Sequence, residues 1–272
     1  MRILVVANVN CDRVRLLDEP LHAGGRLAVR ETRERTGGAG YHAAAAIARL
    51  GGRAWLSTSI AADERGTRLV ADVAARGIET TAVVRAHPAT TPLEILVEPD
   101  GQRTILYQPA AAPPAIWPEP GRQAPFDAIY VNTAAAMPGG ATALVGEGAP
   151  VLAQVPVVVG EGTHPAPLLV CSADERPDLG LAEVWARAVR VSAGRAQRLV
   201  LTDGPRPIRI VGDGRVRETI AVAPIDGLDT TGAGDFFAGA LALRLASGLA
   251  LPDACAAAAR DAASLLRARE TW

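Results

Sequence analysis

The chain has 272 residues, of which 49% are apolar and 21% charged, and its formal net charge is −1. These values are close to the average for globular proteins with a large core, so they indicate neither a disordered chain nor a membrane bundle. A charge near zero also removes the global electrostatic reason to expect a nucleic-acid or membrane partner. All 28 cationic residues are arginine, and the lack of lysine excludes a P-loop, a Schiff-base lysine and a protein-kinase site.

The cysteines and histidines carry no recognisable metal spacing. Cys11, Cys171 and Cys255 stand too far apart for a CxxC unit or a zinc cluster, and the four histidines include no HExxH pair. The N-terminal apolar run is short and predicts a buried strand and not a signal peptide, and no apolar stretch reaches about 20 residues. We therefore expect a reducing, cytoplasmic compartment and no membrane span.

Periodicity in the first half of the chain predicts a strand at 3–9, a helix at 41–50, a strand at 54–60, a helix at 63–77, and a hairpin of strands 93–97 and 103–107. Asp63 is expected to cap its helix, because its carboxylate can accept hydrogen bonds from the free amides of the first turn. Asp100 and Gly101 predict the hairpin turn, since glycine tolerates a positive φ. The arginine-rich segment before residue 36 is too polar for a core, so we expect it to form a small lid.

The second half alternates short apolar runs with helical patterns. Strands are predicted at 128–131, 151–153, 168–171 and 199–202, a hairpin at 208–211 and 216–222, and helices at 181–191, 233–246 and 252–267. Proline-rich residues 110–125 predict a surface connection. Short apolar strands are typical of a parallel sheet that is buried on both faces. The alternation therefore predicts a mostly parallel sheet covered by helices.

The strongest chemical signal is the segment Asp229-Thr-Thr-Gly-Ala-Gly-Asp235, which stands before a long apolar helix. Its glycines allow a tight turn, so that the amides of Gly232, Ala233 and Gly234 can point outward at a helix N-terminus and bind an anion. A carboxylate in the first turn would repel a simple phosphate ligand. It is expected if Asp235 takes a proton from a hydroxyl that attacks a phosphoryl group held by those amides. The spacing alone also allows an ordinary glycine turn that Asp235 caps.

Further segments accompany this motif in a fixed order. The motif continues as Phe236-Phe-Ala-Gly239, Gly37-Gly-Ala-Gly-Tyr-His42 precedes the first helix, and Asn8-Val-Asn-Cys-Asp12 follows the first strand. Weaker signals lie at 63–66, 202–204 and 92–107. From residue 3 to about residue 267, this ordered set resembles the ribokinase-like (PfkB) carbohydrate kinases, whose C-terminal signature is DTxGAGD followed by an F-x-x-G helix.

The resemblance implies an α/β fold, a Rossmann-like three-layer sandwich with a mostly parallel central sheet. Residues 1–272 would form one kinase domain, with residues 13–35 and part of 92–107 forming a small β lid. It also implies ATP-dependent phosphorylation of a hydroxyl on a sugar or sugar-like molecule, with Mg²⁺. Asp235 would match the catalytic base, and Gly232, Ala233 and Gly234 would match the anion hole.

The other site residues come from the same resemblance. Substrate-contacting positions fall on Asp12, Gly37, Gly38 and His42. Nucleotide-binding positions fall on Thr202, Gly204, Gly232 and Gly234. Glu175 would meet Mg²⁺ through water, and Asp229 and Thr231 lie where many members hold a monovalent cation such as K⁺. His42 replaces an asparagine that binds the sugar in many relatives, and Ser172 replaces the asparagine of the family's N-x-x-E motif.

The residue types favour a polyol acceptor. The Asp12 carboxylate can accept from vicinal hydroxyls, and the His42 imidazole can donate or accept, which suits a furanose or a cyclitol. A nucleoside acceptor and a non-catalytic metabolite-binding protein stay open as alternatives, although the intact Asp235 and glycine turn argue against the second. A dehydrogenase is not supported, because no GxGxxG follows the first strand. Expected partners are the polyol, ATP and a second copy of the chain bound through the lid.

Overall fold

The computed structural model describes residues 1–87, 89–106, 117, 125–133, 136–138, 141–156, 164–174, 177–223 and 231–268. Its strands are β1 (Arg2–Ala7), β2 (Asn10–Leu17), β3 (Val29–Gly37), β4 (Arg53–Ala61), β5 (Val83–His87), β6 (Leu93–Val97), β7 (Arg103–Leu106), β8 (Ala128–Asn132), β9 (Val151–Gln154), β10 (Leu168–Ser172), β11 (Arg198–Asp203), β12 (Arg206–Gly212) and β13 (Arg215–Ile220). Its α-helices are α1 (Ala39–Arg49), α2 (Glu64–Ala75), α3 (Leu181–Val191), α4 (Ala233–Ala246) and α5 (Leu251–Ala268).

Nine strands form the large sheet, in the order β13-β12-β11-β10-β9-β8-β1-β4-β5. In this order, all neighbouring strands between β11 and β5 pair in parallel. Strand β12 pairs antiparallel with both β11 and β13. Residues Ile3 to Ala7 of the central strand β1 are all buried, because alternate side chains enter two different cores. Ile3 and Val5 pack with the α1, α4 and α5 side, whereas Leu4 and Val6 pack with the α3 side. The predicted three-layer α/β fold with a mostly parallel sheet is confirmed.

Four strands form a second, smaller sheet, in the order β3-β2-β6-β7, which we call the lid. The arginine-rich segment supplies β2 and β3, and the predicted hairpin supplies β6 and β7. The lid begins at Asn10, so Asp12 lies within a strand and not in the loop after the first strand where we expected it. Its cross-strand neighbours are Arg35 and Leu93.

Paired charges explain how so polar a segment folds. Arg13 contacts Glu34 at 2.7 Å and Glu94 at 2.8 Å, and Arg15 contacts Glu94 at 2.7 Å. These side chains share one face of the lid, because they occupy alternate strand positions. The pKa of Glu94 lies below its ordinary value, chiefly because of the hydrogen bond from Arg15. The acidic and basic side chains of this face therefore largely neutralise each other.

Two local features predicted from the sequence, a helix cap and a hairpin, are present in the structure. Asp63 accepts a hydrogen bond from the Gly66 amide at 2.7 Å, which confirms it as the N-cap of α2. The turn between β12 and β13 has positive φ at Asp213 and Gly214, as a tight hairpin requires. The predicted surface connection 110–125 lies outside the described residues apart from 117 and 125. None of the helices in the described part of the chain is long and apolar enough to cross a membrane.

Two small residues bring α1 and α4 into close contact. A β-carbon at Gly239 of α4 would lie 2.3 Å from the carbonyl oxygen of Ala43 in α1, so only glycine fits there. The flanking residues Ala238 and Ala240 are fully buried, as is Ala43 itself. This contact fixes the relative position of two helices whose first turns both carry predicted site residues.

Candidate active site

The carboxyl ends of the parallel strands gather the candidate site at one edge of the large sheet. Ala7, the last residue of β1, is in register with Asn132 of β8, and Ser172 of β10 is in register with Thr202 of β11. Ligands of open α/β sheets bind at this edge, in crevices beyond the strand ends. Asn132 and Thr202 therefore lie at the same edge, and β2, which carries Asp12, begins three residues after β1 ends there.

Residues 231–234 form a turn at the start of α4, which we call the glycine turn. Gly232 is the N-cap and has a φ of 80°, a left-handed conformation that glycine adopts without strain. In the described structure no side chain caps this helix, so its first amides are available to a ligand. A β-carbon at Gly234 would meet no atom of the described residues within 4 Å. The turn thus presents free amides and the positive end of a helix dipole to open space.

The side chain of His42 packs against the glycine turn. Its side chain is buried, and its ring lies 5.2 Å from the ring of Phe236. A β-carbon at Gly232 would lie 2.6 Å from Cδ2 of His42, so the ring occupies the space beneath the turn. A residue predicted to contact the substrate is thereby in contact with the predicted anion hole.

Asp12 and the loop before α1 form a second part of the site. The Asp12 carboxylate is almost fully buried, and a β-carbon at Gly37 would lie 1.9 Å from its Oδ2. Gly38 has a φ of 92°, and a β-carbon there would lie 2.7 Å from the carbonyl oxygen of Asn8. Glycine is therefore required at position 38, where the backbone approaches closely, and a larger residue at position 37 would displace the Asp12 carboxylate.

Asp235 has a partner that sequence reasoning missed. Its carboxylate Oδ1 accepts a hydrogen bond from Nδ2 of Asn132 at 3.3 Å, and the same Nδ2 lies 3.2 Å from the hydroxyl of Tyr130. Asp235 is half-buried in the first turn of α4. A polar residue at the end of an apolar strand, where ligands of this fold bind, was the signal that could have identified Asn132.

Two of the four predicted nucleotide residues, Thr202 and Gly204, lie on the β10 and β11 side, whereas Gly232 and Gly234 belong to the glycine turn. The Thr202 hydroxyl donates to the carbonyl of Cys171 at 3.3 Å, so it ties two strands together. Gly204 has a φ of 53°, and a β-carbon there would lie 3.1 Å from the carboxylate of Asp174. Arg206 pairs with both Asp174 and Asp203, and the pKa of Asp203 lies below its ordinary value, chiefly because of Arg206. This ion-paired group joins the loops that follow β10 and β11.

Of the three predicted metal-binding residues, only Thr231 belongs to the described part of the chain. Glu175 and Asp229 lie outside the described residues, whereas Thr231 is buried at the start of the glycine turn. Among the residues that the structure describes, no three His, Cys, Asp and Glu side chains converge on a common point. The Thr231 hydroxyl accepts a hydrogen bond from Nη1 of Arg103, a lid residue, at 3.3 Å. No sequence signal distinguishes Arg103 from the other arginines of the chain.

Solved structures of sugar and nucleoside kinases share this architecture. A ribokinase from Cryptococcus neoformans in complex with ADP has 20% identity and a TM-score of 0.69, covering 97% of this chain and 93% of its own. A microbiome-derived acarbose kinase has 22% identity and a TM-score of 0.73, covering 97% and 92%. A nucleoside kinase from Burkholderia thailandensis in complex with inosine has 16% identity and a TM-score of 0.72, covering 98% and 90%. At these identities the likeness shows the fold.

The family follows from a match over most of the chain. Residues 1–144 and 176–271 match the family model described as "pfkB family carbohydrate kinase". The match includes the lid, the loop before α1 and the glycine turn with Asp235. The chain therefore belongs to the pfkB family of carbohydrate kinases, which are phosphotransferases with an alcohol group as acceptor.

Proposed function

We propose that this protein transfers the γ-phosphoryl group of ATP to a hydroxyl of a sugar or sugar-like polyol, with Asp235 as the general base. The observation that carries the proposal is the pairing of an uncapped glycine turn with a half-buried carboxylate in the same helical turn. Amides facing open space suit a phosphoryl group, and a carboxylate beside them suits the removal of a proton from its attacker.

The acceptor would bind between the lid and the loop before α1. The buried Asp12 carboxylate offers oxygens for hydroxyl donors, and Gly37 and Gly38 let the backbone approach closely. His42 lies between this region and the glycine turn, which supports a role at the boundary of the acceptor and phosphate sites. Hydrogen bonds to this carboxylate would favour polyols, because they offer more hydroxyl donors than an apolar alcohol does.

The residues present fit a nucleotide. The open position at Gly234 and the dipole of α4 provide a site for the terminal phosphoryl group, with Ala233 completing the predicted anion hole. The exposed backbone at Gly204 and the neighbouring Thr202 would lie along the rest of the nucleotide. Asn132 would hold the Asp235 carboxylate in place, since its amide donates to one of the two oxygens.

The transfer conserves atoms and charge. The acceptor hydroxyl oxygen forms a bond to the γ-phosphorus while the bond from that phosphorus to the bridging oxygen breaks. The electron pair of the broken bond leaves with ADP, and the hydroxyl proton passes to the Asp235 carboxylate. The amides of Gly232, Ala233 and Gly234 stabilise the negative charge on the phosphoryl oxygens.

Two kinds of metal ion would assist the transfer. Mg²⁺ would be held near Glu175 through water, and it would neutralise charge on the phosphate chain. A monovalent cation such as K⁺ would be held by Asp229 and Thr231. Both roles are part of the proposal.

Turnover with a panel of acceptors tests the proposal. ADP release would be measured with D-ribose, D-fructose, myo-inositol, adenosine and inosine, each with and without Mg²⁺ and K⁺, and the phosphorylated product would be identified by ³¹P NMR. We expect ADP release that depends on one class of polyol. Preference for inosine or adenosine would favour the nucleoside alternative. ATP binding without turnover of any acceptor would favour the non-catalytic alternative and contradict the proposal.

A further inference from the structure

Arg103 connects the lid to the glycine turn. It begins β7 of the lid, and its Nη1 donates to Oγ1 of Thr231 at 3.3 Å, across 128 positions of sequence. Thr231 immediately precedes Gly232, the N-cap of α4. The Arg103 guanidinium therefore lies beside the amides that would hold the transferred phosphoryl group.

Arg103 belongs to the lid face that carries Asp12. Asp12 is in register with Leu93, and Val97, four residues farther along β6, is in register with Arg103. Because side chains alternate across a sheet, Asp12, Val97 and Arg103 share one face. The substrate-contacting carboxylate and the cation beside the glycine turn thus belong to the same side of the lid.

The charge of Arg103 is not balanced by an acid within the described part of the chain. Arg13 and Arg15, on the opposite lid face, pair with Glu34 and Glu94 at 2.7 to 2.8 Å. The hydrogen bond from Arg103 goes to a neutral hydroxyl. A guanidinium has five N–H donors in a fixed plane and matches the geometry of phosphate oxygens, so this cation is well suited to an incoming anion.

We infer that Arg103 is a further catalytic residue, whose guanidinium contacts the phosphoryl group in transfer when the lid covers the acceptor. This inference rests on the proposed function. The chain has no lysine, so arginine is its only side-chain cation that stays charged at every physiological pH. Because the cation belongs to the lid, the charge of the transferred group is fully stabilised only when the lid is in place. Arg103 would thereby favour transfer to the acceptor over transfer to water.

Four variants test this role. Three of them replace the guanidinium: Arg103→Gln, Arg103→Lys and Arg103→Ala. The control is Arg30→Gln, because Arg30 is an exposed arginine on lid strand β3. With the best acceptor of the panel, Arg103→Gln is expected to lower kcat by at least about 10²-fold, the scale for losing one donor to a transition-state oxyanion. The KM for the acceptor should change less than about threefold. Arg103→Lys should retain part of the activity, and added methylguanidine should restore part of the activity of Arg103→Ala. Arg30→Gln should match the wild type.

A binding measurement separates this inference from the proposed function. Calorimetry would give the Kd values for ADP and for the non-hydrolysable ATP analogue AMP-PNP, and it needs no acceptor. We expect the preference of the wild type for AMP-PNP over ADP to fall at least about tenfold in Arg103→Gln. A fall in kcat or in this preference supports the contact. The inference is overturned if both stay within threefold of wild type, or if the change is confined to the KM of the acceptor. Lack of turnover by the wild type contradicts the proposed function, while the binding ratio still decides on Arg103.

Discussion

Asn132 and Asp235 are joined by a hydrogen bond of 3.3 Å from Nδ2 to Oδ1, although 103 positions separate them in the sequence. The bond links the carboxyl end of a central strand to the first turn of α4. It uses one oxygen of the carboxylate, and a carboxylate has two, so a proton can be taken up while the bond persists. This arrangement fixes the position of the proposed base without removing its function.

Asp235→Asn is expected to lower kcat by at least about 10²-fold, the scale for losing a positioned general base. The fold and ATP binding should be preserved, because the amide has nearly the same size and its oxygen can still accept from Asn132. Steady-state kinetics, together with calorimetric titration of ATP, measure both effects. Turnover within a few-fold of wild type would show that Asp235 is not the base.

Asn132→Ala is expected to lower kcat by about tenfold, less than the loss of the base itself, because the carboxylate remains but is less well oriented. The KM for ATP should not change, since Asn132 contacts the base and not the glycine turn. A kcat equal to that of wild type would mean that the hydrogen bond has no part in catalysis.

Gly234→Val is expected to abolish phosphoryl transfer while leaving the free energy of unfolding nearly unchanged. The new β-carbon would enter the open space in front of the turn, where it meets no atom of the described residues within 4 Å but would occupy the proposed place of the phosphoryl group. Gly146→Val is the matched control, because a β-carbon there also meets no atom within 4 Å in the described part of the chain. Kinetics and thermal melts of both variants would be compared. Normal kinetics in folded Gly234→Val would show that the turn does not face the nucleotide.

Asp12→Ala is expected to raise the KM for the acceptor by about 5- to 150-fold, which corresponds to roughly 1–3 kcal/mol for the hydrogen bonds of a buried group. The KM for ATP should stay the same, because the carboxylate lies against Gly37 and not against the glycine turn. Asp100→Ala serves as the control, since it removes an exposed carboxylate from the lid hairpin. If Asp12→Ala had the wild-type KM for its best acceptor, Asp12 would not belong to the acceptor site.

Asp63 is expected to make stability depend on pH. Hydrogen bonds from the Thr90 amide, the Gly66 amide and the Thr90 hydroxyl lower the pKa of Asp63 from 3.8 to about 2. Since the folded-state pKa is the lower one, the unfolded chain takes up a proton first, and the stabilisation present at neutral pH is lost as pH falls from about 4 to 2. The Tm difference between wild type and Asp63→Asn should therefore shrink across this range. A difference that does not vary with pH would contradict the assignment.

The parts of the fold that the sequence predicts are those with strong local signals. Helix α4 begins and ends as predicted, because the glycine turn precedes it and its core positions are apolar throughout. Strand β5 was missed, since it is a short edge strand with exposed Val84, and only its pairing with β4 defines it. The position of Asp12 in β2 was also missed, because lid pairing rather than apolar periodicity makes that segment a strand.

The candidate site also contains residues that the sequence predicts and residues that it does not. The glycine turn and Asp235 are adjacent in sequence, so their spacing predicts their arrangement. Asn132 reaches Asp235, and Arg103 reaches the glycine turn, each from a distant strand, and such contacts cannot be predicted from a single sequence. The sequence did not predict the packing of His42 against Gly232 either. The contact of His42 with substrate, the pairing of two copies through the lid and the cytoplasmic location stay predictions.

The tight crossing of α1 and α4 at Ala43 and Gly239 has an evolutionary consequence. The helix that bears the proposed base is packed tightly against the helix that bears His42, whereas Asp12 belongs to a separate sheet. Substitutions in the lid can therefore accumulate without disturbing the position of Asp235 beside the glycine turn. We expect new acceptor specificities of this scaffold to arise by changes in β2, β3, β6 and β7 at positions other than Arg103, with the proposed phosphoryl-transfer residues inherited intact.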